Sequence, residues 1–289
     1  KKWFKHIIVF TLVILISITW LQRWPGGDWQ VANCDIGQGD SMVINLGNHR
    51  GIVIDVGPNP VAEDRCLKAL GIKEIPLLIL SHFHADHVAG LTGAIKNRAV
   101  GQVWVSVNSA PLIESAKAQA ALKGVEMIKA VRGMSARVGP LTIRVLWPTL
   151  SATSFEEMPG DGSQINNSSI ATLITSDAFS LFAGGDLEPP VQEILVKDVG
   201  PVDIYKVCHH GSRYQDLAFM SALHPRISII SVGAGNTYGH PAVQTLQALA
   251  RLGSEVLRTD IDGAVAVQVR NHQFTVRRAK GRFNLIRWG

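Results

Sequence analysis

Three histidines and an aspartate fall within six residues of one another in the run Ser81-His82-Phe83-His84-Ala85-Asp86-His87. A lone histidine is ordinarily a core or surface residue. Three packed with a carboxylate are costly, because cationic imidazoles repel one another, unless something uses their lone pairs. Imidazole nitrogens and carboxylate oxygens are the donors that zinc, manganese and iron prefer. In an extended segment His82 and His84 project to the same side. Asp86 and His87 then come round the following turn to a second position, which gives two neighbouring metal sites.

A strand must deliver this run. Leu77–Ser81 is apolar and β-rich, and its carboxyl end leads directly into the histidines. Further strands are expected at 31–34, 42–46, 52–55, 103–107, 141–146, 170–175, 179–183, 204–208, 227–232 and 265–269. Helices are expected near 62–70, 113–123, 191–199 and 242–252. Strands and helices mix throughout without a repeat, which predicts a layered α/β fold. A hydrophobic fraction of 46% with 18% charged residues supports a real core and excludes a disordered chain.

The net charge of +5 suggests a polyanion-binding face until it is located. Residues 1–24 contribute +4 and residues 277–289 contribute +5, so the part between carries −4. The middle of the chain is therefore mildly acidic, and composition supplies no broad basic surface. The run Ile7–Leu21 lacks charge and is flanked by Lys5, His6, Trp20 and Trp24, which reads as a transmembrane segment over 1–24. A signal peptide is its rival. The lysines in front of it place the remainder on the outer face of the membrane. A hydrolase domain is expected over 25–276 and a basic tail over 277–289. Cys34, Cys66 and Cys208 are too widely spaced for a zinc ribbon. A Cys34–Cys66 bridge and three buried thiols are both open readings.

His-x-His-x-Asp-His is the signature of the metallo-β-lactamase superfamily, and the chain resembles it at further points in order. Ile54-Asp55-Val56-Gly57 resembles the turn beneath the metals, Leu181–Asp186 the strand ending in a bridging aspartate, and His209 the last histidine ligand. More closely, the chain resembles the C-terminal domain of the ComEC family of DNA-uptake membrane proteins. The carrying residues are Asp35–Ser41, His82–His87, Asn166–Ser169, Gly185-Asp186, His209–Ser212 and Tyr238–Pro241. The resemblance implies a four-layer αββα sandwich and two divalent cations, manganese or zinc, with magnesium admissible. It implies His82 and His84 on one cation, Asp86, His87 and His209 on the other, Asp186 between them, and Asp55 orienting the metal loop from behind. Many superfamily hydrolases offer a third histidine to the first cation, whereas this chain has Asn166-Asn167-Ser168-Ser169. An amide oxygen is a weaker, harder donor, which favours manganese or magnesium.

The activity implied is two-metal hydrolysis of phosphodiesters in extracellular DNA, one strand being degraded while the other enters a channel formed by an upstream domain of a longer protein. Asp86 would orient the attacking hydroxide, and His240 is a candidate acid or an ordinary loop histidine. His210, Ser212, Asn167, Asp40 and Gln38 are candidate substrate contacts, with turn-forming roles as their alternative. A surface-tethered lactonase or lactamase is the rival enzyme, and a DNA-guiding domain that does not cut is the rival outside catalysis.

Overall fold

Alternating side chains organise the molecule. Along the strand 74–80, Leu77 and Ile79 face one apolar cluster while Leu78 and Leu80 face another. Ile52 and Ile54 likewise face away from Val53. A strand apolar on both faces must be covered twice. The computed structural model describes residues 3, 5–12, 24–150, 158 and 162–280.

Residues 5–12 are helical (α1). Strands β1 (Trp29–Asn33), β2 (Met42–Gly47) and β3 (Arg50–Ile54) form an antiparallel meander. Helix α2 (Pro60–Ala69) then returns the chain to β4 (Glu74–Leu80), parallel to β3. Short helices α3 (Ala85–Val88) and α4 (Leu91–Ala94) lead to β5 (Ala99–Val105), and α5 (Leu112–Ala121) leads to β6 (Glu126–Lys129), extending the parallel set. The second sheet starts with β7 (Ser135–Val138) and β8 (Leu141–Trp147) and, after α6 (Ser163–Asn166), adds β9 (Ala171–Thr175) and β10 (Ser180–Ala183), all antiparallel. Helix α7 (Pro189–Leu195) precedes β11 (Ile204–Lys206), α8 (Leu217–Leu223) precedes β12 (Ile227–Ile230), and α9 (Val243–Arg251) precedes β13 (Glu255–Arg258), which continue that sheet in parallel. After α10 (Thr259–Asp262), β14 (Val265–Arg270) and β15 (Gln273–Arg278) rejoin the first sheet beside β1.

The two sheets face each other across Ile44, Ile52, Ile79 and Trp104 on one side and Ile143, Ile174, Leu181 and Ile229 on the other. Leu67 of α2 and Ala118 of α5 cover the outer face of the first sheet, and Val191 of α7, Phe219 of α8 and Leu249 of α9 cover that of the second. The expected four-layer αββα order is therefore present. In each sheet the parallel strands end at the same edge, where loops are free to carry chemistry.

Four strands were not expected. In β6 and β7 no residue is fully buried, and β13 has one. Sheet-edge strands need no apolar run, so periodicity misses them. Strand β15 takes in Arg277 and Arg278, which the sequence assigned to the basic tail. Arg278 is tied to Glu255 at 2.7 Å and Asp262 at 3.0 Å. The rest of that expected tail, residues 281–289, lies outside the described residues. So do residues 13–23, most of the expected transmembrane run. Among the described residues no helix is long and apolar enough to cross a membrane. Of the two cysteine readings, the bridge is present: Cys34 and Cys66 are disulfide-bonded, joining the end of β1 to α2. Cys208 is free, and burial pushes its thiol up to about 12, so it stays protonated.

Candidate metal centre

The site forms where the ends of β3, β4, β10 and β11 meet. The carboxylate of Asp55, just past β3, accepts from Ser81 N at 2.7 Å, from Ser81 Oγ at 2.8 Å and from His87 Nδ1 at 2.9 Å. Ser81 thus spends its hydroxyl proton on Asp55, and its oxygen faces His82 Nδ1 at 3.1 Å as an acceptor. Ser169 Oγ flanks the same nitrogen at 3.2 Å. With Nδ1 occupied in this way, the Nε2 of each ring is left to face its neighbours in the cluster, as in histidines that bind metals. His82 Nε2 lies 3.0 Å from His84 Nδ1, which brings two ring nitrogens to one point.

Asp86, His87, Asp186 and His210 converge next to that pair, with one donor atom from each within 4.8 Å of the others. His87 Nε2 lies 3.2 Å from Asp186 Oδ2, and His210 Nε2 lies 3.2 Å from Asp86 Oδ2 and 3.4 Å from Asp186 Oδ2. Donors bound at 2.0–2.1 Å in a tetrahedron are about 3.3 Å apart, so the spacing fits a zinc-sized cation. His87 Nε2, His210 Nε2 and Asp186 Oδ1 are buried without a hydrogen-bond partner among the described residues. Buried polar atoms are rarely left unpaired, and these three belong to residues of the one cluster. The donor set fits a divalent cation.

Electrostatics point the same way. Burial pushes His87 down, but Asp186, Asp86 and Asp55 overcome it and raise its pKa well above the ordinary value. Burial also opposes the charge on His210, and Asp186 and Asp40 outweigh it. Burial opposes the charge on Asp186, yet His210, His87 and His209 hold it well below the carboxylate range. Asp86 is likewise lowered against its burial by His87 and His210. Without a cation, protons on the histidines balance the buried carboxylates. His82, by contrast, is driven well down by burial and by the neighbouring His87.

Backbone strain fixes the arrangement. Asp55, His209 and His210 have φ of 56°, 50° and 52°, a left-handed conformation costing about 1 kcal/mol or more at non-glycine residues. The loop 34–41 presses against the metal-binding run. Asp40 N donates to Asp86 O at 3.1 Å, and a Cβ on Gly39 would lie 2.1 Å from that same oxygen.

Several expected residues take other places. His210, expected to touch phosphate, points Nε2 into the cluster. His209, expected as the last ligand, sits on the rim with Nε2 4.0 Å from Asp186 Oδ2 and Nδ1 3.4 Å from Glu188 Oε1. Asp40, expected to touch substrate, is buried behind His210 against Lys206. Asn167 turns inward, its Oδ1 accepting from Glu188 N at 2.9 Å, and it is Asn166 that lines the cavity. Ser212 is buried in a turn, accepting from Tyr214 N at 3.2 Å, and stays off the cavity wall. Gln38 does line the cavity, with Oε1 accepting from Gly233 N at 3.2 Å. His240 lines it too, but burial and the nearby His209 and His210 lower its pKa to about 4. The neutral imidazole is therefore its favoured form at neutral pH. Glu188 and Lys206 were missed: neither forms a motif, and only the fold brings them to the site. The cavity above the cluster measures about 670 Å³, and Tyr238 stands exposed at its mouth.

A family model described as the metallo-beta-lactamase superfamily matches residues 34–168. The ComE operon protein 3 of Bacillus subtilis is 32% identical over 84% of this chain and 33% of its own length. The recombination protein 2 of Haemophilus influenzae is 26% identical over 94% of the chain and 33% of its own length. The competence protein ComA of Neisseria gonorrhoeae is 25% identical over 83% of the chain and 32% of its own length. The chain therefore spans about a third of the length of these relatives. Among solved structures, the metallo-beta-lactamase fold protein YhfI of Bacillus subtilis superposes with a TM-score of 0.52 at 13% identity, covering 79% of this chain and 95% of that one. Zn(2+)-bound PqqB of Methylobacterium extorquens gives 0.50 at 11% identity, covering 76% and 85%. At such identities these two structures speak for the fold alone. The chain is a metallo-β-lactamase domain related over most of its length to ComEC-family competence proteins.

Proposed function

We propose that this domain is a metal-dependent phosphodiesterase that degrades the non-transported strand of extracellular DNA during uptake. The observation that carries the reading is the convergence of Asp86, His87, Asp186 and His210 on one centre with buried, unpaired donors. These four would hold one divalent cation, and His82 and His84, with the Asn166 carboxamide beside them, a second. Bound cations in such a pair polarise a phosphoryl oxygen and lower the pKa of water. The protein's part is to hold the donors rigid through Asp55, Ser81 and Ser169 and to keep His82 neutral by burial. His209, Gln38 and Tyr238, which line the cavity, would contact the strand. The relatives are competence proteins, which supports DNA as substrate. The Cys34–Cys66 bridge supports an oxidising compartment outside the cytosol, and the apolar run before Trp24 supports attachment to a membrane. Native metal, manganese or zinc, is set by affinity and supply.

The purified domain with Mn²⁺ should cut oligonucleotides, and His84→Ala should lose nearly all of that activity. Equal rates for parent and variant would assign the cutting to a contaminant. A cavity of about 670 Å³ also suits a small ester, lactone or lactam. Turnover of such compounds with no cleavage of single- or double-stranded DNA would favour that second reading.

A further inference from the structure

Lys206, the last residue of β11, is buried, with only 4% of its side chain exposed. Its ammonium lies 2.7 Å from Asp40 Oδ1, itself 4% exposed, and donates to Val207 O at 3.2 Å. A buried lysine is costly unless an anion meets it, and the anion here comes from a loop of the other sheet. The same Asp40 Oδ1 lies 3.1 Å from His210 Nδ1, which also donates to Ser231 O at 3.0 Å. Ser231 Oγ in turn donates to Gly39 O at 2.7 Å, pinning the residue before Asp40. Around Nδ1 of His210 there are thus only acceptors, and its Nε2 faces Asp86 and Asp186.

The geometry points to Lys206 as a positioning residue: its ion pair with Asp40 holds the carboxylate against His210 Nδ1 and so aims Nε2 at the metal centre. This rests on the reading of the cluster as a metal site. Asp55 braces His87 in the same manner, but is held by Ser81 rather than by a cation. The difference follows from chain path. Asp55 adjoins β4 within its own sheet, whereas Asp40 must reach across to the second sheet, where a buried ammonium gives a long-range, strong anchor. Neither Lys206 nor Asp40 lines the cavity, and the Asp40 carboxylate that Lys206 holds meets the ring of His210 at Nδ1.

The test is Mn²⁺ and Co²⁺ binding to the purified domain by calorimetry, together with the visible spectrum of bound Co²⁺ and the melting temperature of the metal-free protein. Lys206→Met and Asp40→Asn should each weaken binding about 10- to 100-fold, the range for partners that orient a ligand from behind. Both should alter the Co²⁺ spectrum. The double variant should be no weaker than the worse single, because the two residues act as a unit. It buries no unpaired charge, so it is the protein to measure if either single variant does not fold. A lysine serving only the fold would lower the metal-free melting temperature and leave the parent's dissociation constants. That result in the double variant overturns the assignment while the metal centre stands. A parent domain that binds neither ion overturns both.

Discussion

Replacing Asp55 by asparagine changes one atom and should damage the site out of proportion to its size. The carboxylate accepts three protons, from Ser81 N, Ser81 Oγ and His87 Nδ1, at 2.7, 2.8 and 2.9 Å. An amide keeps one acceptor oxygen and gains two donors. If that oxygen stays on Ser81 N, the new NH₂ faces His87 Nδ1. Ser81 can rotate its hydroxyl to accept from the amide, but the imidazole has no free choice. It must accept at Nδ1 and place its proton on Nε2, the nitrogen lying 3.2 Å from Asp186 Oδ2. A protonated Nε2 cannot bind a metal. Loss of one buried charge-assisted hydrogen bond costs about 1.5–3 kcal/mol. For a domain of this size that lowers the metal-free melting temperature by roughly 5–10 °C. Metal affinity should fall about 10- to 100-fold. Calorimetric titration with Mn²⁺ measures the second effect, and melting in the presence of a chelator isolates the first. An Asp55→Asn domain that binds Mn²⁺ with the parent's affinity would show that His87 does not take its orientation from Asp55.

Glu63 is buried in α2, neither oxygen has a hydrogen-bond partner among the described residues, and burial raises its pKa to about 8 from 4.5. The folded state therefore keeps a proton that the unfolded state sheds. Its contribution to stability is full below pH 4.5 and is lost progressively as pH rises toward 8. Glu63→Gln should remove that slope and leave the variant more stable than the parent at pH 8, by a few kcal/mol in order of magnitude. Denaturant midpoints across this range would check it, and parallel curves for the two proteins would refute it. The disulfide closes a loop over a sequence separation of 32. In the chain-entropy model that is worth about 3–4 kcal/mol, so a reductant should lower the melting temperature by roughly 10 °C.

What the sequence made legible was local. His82, His84, Asp86 and His87 are adjacent in the chain, and the strand that ends at Leu80 carries its own period, so both could be read directly. The pair His209-His210 could not be resolved in that way. Neighbours on a strand point to opposite sides, but here both residues are left-handed, at φ 50° and 52°, and the alternation rule does not apply. Only the fold shows that His210 turns into the cluster and His209 stays on the rim. Asp40 looked like a turn residue of a glycine-rich loop because its partners, Lys206 and His210, arrive from the other sheet. Strand β7 was missed for a plainer reason. Alternate residues are exposed and the rest only half-buried, which leaves no apolar run to read.

The two sheets do not contribute to the site in the same way. The first supplies the histidine run and Asp55, close in sequence, with the Asp55 carboxylate held by Ser81. The second supplies Asp186 and His210, and these meet the first sheet's donors only if the sheets keep their relative position to within a few tenths of an ångström. Apolar packing between sheets resists separation but fixes lateral position weakly, since side chains in a core can repack at modest cost. Directional contacts fix it, and they concentrate in the loop 34–41. Its Asp40 is tied to Lys206 and His210, its Gly39 to Ser231, and its Gln38 to Gly233. A glycine-rich loop whose Ile36, Gly37 and Gln38 also line the cavity is therefore the element that keeps His210 opposite His87. Loosening it should reduce metal affinity before it reduces the stability of either sheet.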